Sequence, residues 1–290
     1  MMITSPSNQH IAMLHSLHSS KGREQTGLFL IEGPHLLESA LDAHVTPSPI
    51  VFDPEDLGRS ATGRRLLGRI EEARAGGAQV LEATPAVIER AADPRTPQGV
   101  VAAVASSDVD AAKIRARRRG RMRPLVLVLD AISDPGNLGT ILRAALAADV
   151  DEVLLAPDSA QPLAPKVVRA ASGATFHLPV RAEQSWQQIA VALGGAPEVV
   201  QVLAAEASGR KAYDAFDLTQ RTALIIGNEA HGLSNEAKRL VTDRLSIPMW
   251  NRVESLNAAI AASVILFEAA RQRRAHEARE KAERQHDAAE

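Results

Sequence analysis

Two almost purely apolar runs, Leu125 to Leu129 and Ala223 to Ile226, each lead into a short stretch that cannot be core. Behind the first comes Asp134-Pro135-Gly136-Asn137-Leu138-Gly139. Behind the second comes Gly227-Asn228-Glu229-Ala230-His231-Gly232-Leu233-Ser234. In an open α/β sheet, loops at the carboxyl ends of strands are where ligands bind. A third stretch, Pro248 to Asn257, follows the run Arg244 to Ile247 and opens a long alanine-rich helix. Three loops distant in sequence are therefore expected at one sheet edge, as a single site.

The rest of the chain fits that frame. Before residue 105, helix-like and strand-like segments alternate. Helices are expected at His10–Leu17, Pro34–Asp42, Gly63–Arg74 and Pro85–Ala91, and strands at Leu28–Ile31, Ile50–Phe52, Gln79–Leu81 and Val100–Val104. That alternation predicts a small α/β/α domain over residues 1–105. Residues 106–123, polar and then arginine-rich, read as a linker. From Pro124 the expected strands are Leu125–Leu129, Glu152–Leu155, Phe176–Val180, Val199–Leu203, Ala223–Ile226 and Arg244–Ile247. Helical segments separate most of them, the spacing of crossovers in a mainly parallel sheet. The closing helix, from Ser255, carries Leu256, Ile260, Val264 and Phe267 on one stripe, and its six alanines within 258–270 suit close packing on a neighbouring element or subunit. A second domain spans 124–272, and 273–290 reads as a charged tail, a solvated helical end or a frayed one.

Composition narrows the function classes. No apolar run approaches the ~20 residues that span a bilayer, and no secretory leader pattern opens the chain. The absence of cysteine excludes disulfides, thiolate metal sites and cysteine nucleophiles. A cytoplasmic location is expected. The nine histidines show no metal-ligand spacing, so no metal site is expected. The net charge of −2 is unevenly spread: residues 113–123 carry seven basic side chains and no acid, whereas residues 1–112 hold nine basic against 14 acidic ones. The basic block reads as a phosphate contact or as a solvated linker.

The glycine-bearing loops match neither common phosphate cradle. Gly136 to Gly139 is only G-x-x-G, short of the dinucleotide fingerprint. Gly227 and Gly232 have P-loop spacing, but Leu233 stands where the phosphate-binding lysine belongs. Small-residue loops can instead wrap an uncharged adenosine group through backbone contacts.

The three stretches resemble the signature motifs of the SpoU (TrmH-like) branch of the SPOUT RNA methyltransferases. They are Leu129-Asp130 with Asp134 through Arg143, then Leu224 through Leu233, then Ile247-Pro248-Met249 with Val253 through Ala259. The N-terminal part is similar to the family's ribosomal-protein-like substrate domain through Lys21-Gly22-Arg23, Phe29 through Gly33 and Thr96 through Val100. The resemblance implies methyl transfer from S-adenosylmethionine to a ribose 2′-hydroxyl of RNA, ribosomal RNA (23S) before tRNA. It also implies a SPOUT α/β catalytic domain with a deep trefoil knot, which general topology rules would not suggest, and a homodimer.

By the same resemblance Arg143, Asn137, Glu229, Ser255 and Asn257 are the expected catalytic residues. Each has a plainer reading: Arg143 as an exposed helix residue, Asn137 as a cap or turn residue, Glu229 as a carboxylate near a helix N-terminus, Ser255 as an N-cap and Asn257 as a first-turn polar residue. Gly227, Asn228, Gly232, Ile247, Met249, Ser255 and Leu256 are the expected cofactor contacts. Lys21, Arg23, Arg117, Arg118, Arg119 and Arg169 are the expected RNA contacts, and Arg64, Arg65 and Arg69 could complete a local basic face. The stretch Ala164–Ala174 departs from the family pattern at Ser172. Resistance-type methylation of rRNA and methylation of tRNA are neighbouring readings. A non-catalytic RNA-binding assembly factor is the reading from another class.

Overall fold

The computed structural model describes residues 2–92, 98–118, 123–194, 201–251 and 255–287, which divide into two compact units. The first comprises residues 1–114 and 161–177, the second 115–160 and 178–290. Part of the expected linker is ordered: helix-forming Ala111–Arg117 follows Asp110, whose carboxylate accepts the amide of Ala112 at 2.9 Å. Residues 161–177, inside the expected catalytic stretch, cluster with the first unit.

In the first unit, β1 (Leu28–Glu32), β2 (Ile50–Phe52), β3 (Val80–Glu82) and β4 (Val100–Ala105) form a sheet in the order β1-β4-β2-β3. Only β2 and β3 run parallel. The helices are α1 (Gln9–Ser16), α2 (Ser20–Thr26), α3 (Pro34–Asp42), α4 (Pro54–Gly58), α5 (Ala61–Ala75), α6 (Pro85–Ala91) and α7 (Ala111–Arg117), which ends in the second unit. Alternating strand positions serve two cores: Phe29, Ile31, Val100 and Ala102 on one face, Leu30, Val101 and Ala103 on the other.

The second unit is built on seven strands, all paired parallel: β5 (Leu125–Leu129), β6 (Glu152–Leu155), β7 (Val180–Arg181), β8 (Gln201–Ala205), β9 (Lys211–Ala212), β10 (Thr222–Ile226) and β11 (Asp243–Ser246). Their order is β7-β6-β5-β10-β8-β11-β9. Strands buried on both faces read as continuous apolar runs, and every residue of β10 is buried. Register levels the carboxyl ends: Leu129, Ile226, Ala205 and Leu245 form one row across four strands. The loops after β5, β8, β10 and β11 therefore leave the sheet at the same edge.

The remaining helices are α8 (Pro135–Ala147), α9 (Pro165–Ala171, in the first unit), α10 (Trp186–Gly194), α11 (Asn235–Leu240) and α12 (Ala258–Asp287). The expected closing stripe is reversed. Ile260 and Phe267 are 54% and 46% exposed, while Ala258, Ala259, Ala262, Ile265, Leu266, Ala269 and Ala270 are buried. Alanines allow close approach to α8, which α12 contacts, so the bulky positions are left outside. The tail is a continuation of this helix rather than a frayed end. Arg273, itself buried, donates to the carbonyls of Leu218, Gln220 and Arg123 at 2.9, 2.7 and 2.6 Å and ties the helix to the unit.

One expected strand is also replaced. Over 176–180, a 3-10 turn (Ala174–Phe176) precedes the two-residue β7. Gly173 turns left-handed at φ +90°, and Phe176 is buried with its ring 6.3 Å from Phe29. Core burial of Phe176 thus overrides a strand conformation. Among the described residues no helix is long and apolar enough to cross a membrane.

Ile225 sits fully buried in the middle of the central strand. Ile225→Ala is expected to lower unfolding free energy by about 2–5 kcal/mol, read from the shift of a urea unfolding curve with unchanged slope.

Candidate active site

The loops after β8, β10 and β11, three of the four that share an edge, line a cavity of about 600 Å³, within the range of small-molecule sites. Gly227, Asn228, Gly232, Ile247, Met249, Ser255 and Leu256, the expected cofactor contacts, all line it. Glu229 and Asn257 line it as well. A wall that the sequence reading missed comes from Ala205-Glu206-Ala207-Ser208, after β8. Those residues carry no recognisable motif, and their only signal is their place at the carboxyl end of a parallel strand.

Local hydrogen bonding explains the shape of the β10 loop. Asn228 and Gly232 exchange two backbone bonds, N to O at 3.0 Å and 2.8 Å. The Asn228 side-chain oxygen accepts from the amides of Ala230 and His231, and its nitrogen donates to the Ala131 carbonyl at 2.8 Å. The Asn228 side chain is thus committed to fixing the loop, while the residue still lines the cavity. Gly227 allows the tight turn. A methyl group added there would lie 2.7 Å from the Gly232 carbonyl carbon and oxygen. Next door, the Ser234 amide donates to the buried carboxylate of Asp130 at 2.6 Å, which links this loop to the end of β5.

A directed chain of side chains joins three loops. Asn257 caps α12: its oxygen accepts from the amides of Ala259 and Ile260 at 2.9 and 3.3 Å. Its amide nitrogen donates to the Asn137 oxygen at 3.0 Å. The Asn137 nitrogen in turn donates to the Glu229 carboxylate. The polarity of the chain is forced, because an ionised carboxylate only accepts and a capping oxygen is already spent on amides. Asn137 itself is not the N-cap of α8. That position belongs to Asp134, whose carboxylate accepts the Asn137 amide at 2.8 Å. Nor does Ser255 cap α12; it is exposed and lines the cavity.

Arg143 stands apart from this chain. It is exposed on α8 and makes no hydrogen bond or ion pair among the described residues. Six positions along a helix place it about 120° around the axis from Asn137. The structure therefore brings together four of the five expected catalytic residues, three by direct hydrogen bonds and Ser255 through the cavity wall. Among the described residues no group of three or more side chains could hold a metal ion.

Most expected RNA-contact residues have protein partners. Arg23 donates to the carbonyls of Leu17 and His18 at 2.9 and 3.1 Å and to Gln161, and burial pushes its guanidinium below the usual range, offset in part by Glu24. Arg169 pairs at 3.0 Å with Glu32, a buried carboxylate that needs a countercharge. Arg118 bonds Asp149 at 2.7 Å and the Val150 carbonyl at 2.9 Å. Arg115 pairs with Glu152, and Lys113 and Arg123 lie 3.7 and 3.8 Å from Asp108 and Glu280. On the first unit's expected basic face, Arg69 pairs with Asp42 at 2.6 Å and Arg64 donates to the Gly58 carbonyl. Lys21, at the start of α2, and Arg117, at the end of α7, are exposed, and Arg119 lies outside the described residues.

Gly227→Ala is expected to weaken S-adenosylmethionine binding by about ten-fold or more, some 1.4 kcal/mol, in calorimetric titration. Unaltered affinity would mean that the β10 loop does not shape the ligand site.

The SpoU rRNA Methylase family model matches residues 124–267, and the MRM3-like substrate binding domain matches residues 8–102. The chain is 33% identical to an uncharacterized tRNA/rRNA methyltransferase of Synechocystis over 93% of each chain. It is 30% identical to the 23S rRNA (guanosine(2553)-2′-O)-methyltransferase RlmP of Bacillus subtilis, over 91% of this chain and 97% of that one. It also resembles the crystal structure of an AdoMet-bound rRNA methyltransferase from Sinorhizobium meliloti, with a TM-score of 0.77 and 30% identity over 93% and 97% of the two chains.

Proposed function

The chain belongs to the SpoU rRNA methylase family, and we propose that it transfers a methyl group from S-adenosylmethionine to a ribose 2′-hydroxyl of 23S rRNA. The observation that carries this reading is the Asn257–Asn137–Glu229 chain, set beside the cavity that all seven expected cofactor contacts line. A structural scaffold would not need three loops joined by polar side chains around a cavity of about 600 Å³. The cavity suits the donor: Ile247, Met249 and Leu256 supply apolar wall for an adenosine, and Glu206, Glu229 and Asn257 supply polar groups. When bound, S-adenosylmethionine supplies an electrophilic methyl group on a sulfonium.

The chain's own residues handle the acceptor. A ribose hydroxyl is a weak nucleophile at neutral pH, so its proton would pass to a neighbouring RNA phosphate as the oxygen attacks the methyl carbon and the methyl–sulfur bond breaks. Glu229 and Asn257 hold Asn137 in one rotamer, and Asn137 orients the ribose. Arg143 brings a guanidinium cation and stabilises the charge that develops on the attacking oxygen. Among the described residues it has no hydrogen-bond or ion-pair partner, which leaves the guanidinium available to RNA. Ser255 positions the donor from the cavity wall, and Lys21 contributes a phosphate contact from the first unit.

The quaternary and topological readings follow the family. We place the trefoil knot in the second unit, a reading supported by β10 lying between the earlier strands β5 and β8. A homodimer is supported by the exposed Ile260 and Phe267 of α12, which a second copy would cover. A cysteine-free chain suits a reducing compartment, and we place the enzyme in the cytoplasm.

Purified protein incubated with methyl-labelled S-adenosylmethionine and rRNA from cells lacking this enzyme is expected to label one ribose. Cofactor binding without label in RNA would favour the assembly-factor reading instead. Arg143→Ala should reduce turnover by about a hundred-fold with cofactor affinity unchanged; equal loss of both would make it a structural residue. Asn257→Asp keeps the helix cap but removes the donor to Asn137. It should leave stability within about 0.5 kcal/mol in thermal unfolding while turnover falls.

A further inference from the structure

We propose that Trp250 is a base-stacking residue, which holds a nucleobase of the RNA at the mouth of the cofactor cavity. Aromatic residues make up only 3% of this chain, with two tryptophans and one tyrosine. The structure buries Phe29, Phe52, Phe176 and Phe216, and packs Trp186 against the core of the second unit. Trp250 is different: it is 84% exposed. Leaving an indole in water forfeits a large hydrophobic gain, so its position calls for a partner.

The loop geometry sets where that partner lies. Residues 247–250 follow β11 outside any helix or strand, and their exposure alternates along the chain. Ile247 and Met249 line the cavity, whereas Pro248 and Trp250 are exposed. Asn251 then turns the chain in the left-handed region at φ +64°. The indole is thus fixed one residue from the cofactor wall and faces solvent. Ser255 and Asn257, on the far side of the same loop, also line the cavity.

The chemistry favours RNA as the partner. Sequence-tolerant recognition of unpaired RNA stacks bases on exposed aromatic rings. Where the target nucleotide is unpaired, its base or the adjacent one lacks a stacking neighbour, and a ring beside the cavity supplies that surface. This inference rests on the methyl-transfer reading above for the identity of the ligand. The ring's exposure and placement stand without it.

The test uses the full-length protein. In a Trp186→Phe background, Trp250 is the sole indole, and a short oligoadenylate is expected to quench its emission, whereas an abasic oligonucleotide of the same length and charge is not. Trp250→Ala should raise KM for rRNA by about five- to a hundred-fold with S-adenosylmethionine affinity unchanged, and Trp250→Phe should restore most of the loss. Equal quenching by both oligonucleotides would overturn the proposal. So would an emission shift on raising protein concentration without RNA, which would assign Trp250 to a second copy of the chain. Weaker cofactor binding by Trp250→Ala would make it part of the donor site and overturn the proposal as well. Normal methyl transfer with unquenched emission would sink the stacking role alone. Base-dependent quenching without methyl transfer would sink the methyl-transfer reading and leave the stacking role standing.

Discussion

The parallel pairing of β10 between β5 and β8 is the constraint on which the second unit depends. Parallel neighbours cannot be joined by hairpins, so each connection must cross over and return to the same end of the sheet. The row Leu129–Ile226–Ala205–Leu245 ends those strands at one level. Four loops leave from that row, and a one-residue slip in any pair would displace the loops on either side of it by about 3.3 Å. A slip by one residue would also turn each strand's side chains to the opposite face. Register and site are in this sense one property.

The Asn257–Asn137–Glu229 chain converts that proximity into a fixed geometry. The three residues lie 120 and 92 positions apart in sequence, and each is also held by its own loop or helix start. Asn257 serves two roles through its two polar atoms: the oxygen caps α12 and the nitrogen reaches Asn137. Fixing the helix start therefore fixes the donor. Hydrogen bonds to an ionised partner are stronger than neutral ones, so Glu229 gives the chain its direction and its anchor. Gly227 and Asn228 play the complementary part. They shape a turn held by its own cross-loop backbone bonds and by the Asn228 side chain.

Much of this was legible from sequence because burial on both strand faces leaves continuous apolar runs. β5, β6 and β10 could be read within a residue, and the loops behind β5, β10 and β11 announced themselves by glycine and polar residues. The failures have separate physical causes. The β8 loop, Ala205 to Ser208, has no residue type that marks a ligand wall, so only the strand order reveals it. Residues 176–180 look like a strand, but Phe176 is drawn into the core beside Phe29. The expected stripe on α12 follows the helical spacing of its bulky apolar residues. The helix instead buries its alanines, because close helix contact favours small residues and leaves Ile260 and Phe267 outside. Asn257 rather than Ser255 caps the helix, a choice between neighbouring capping residues that sequence alone cannot make.

Electrostatics shows the same limit. Seven basic residues in 113–123 suggest a phosphate-binding strip, yet Lys113, Arg115, Arg118 and Arg123 each face an acid supplied from elsewhere in the fold. Arg169 neutralises Glu32 in the same way. A guanidinium already paired releases fewer counterions when RNA arrives, because it must exchange one anion for another. Charge in this chain therefore goes largely into holding the protein together. On the proposed reading, RNA recognition draws on exposed cations such as Lys21 and Arg143 and on aromatic surface. An enzyme that acts at one ribose among thousands gains from that division: uniform phosphate attraction binds every stretch of RNA alike, whereas a displaced base meets a ring in only one geometry.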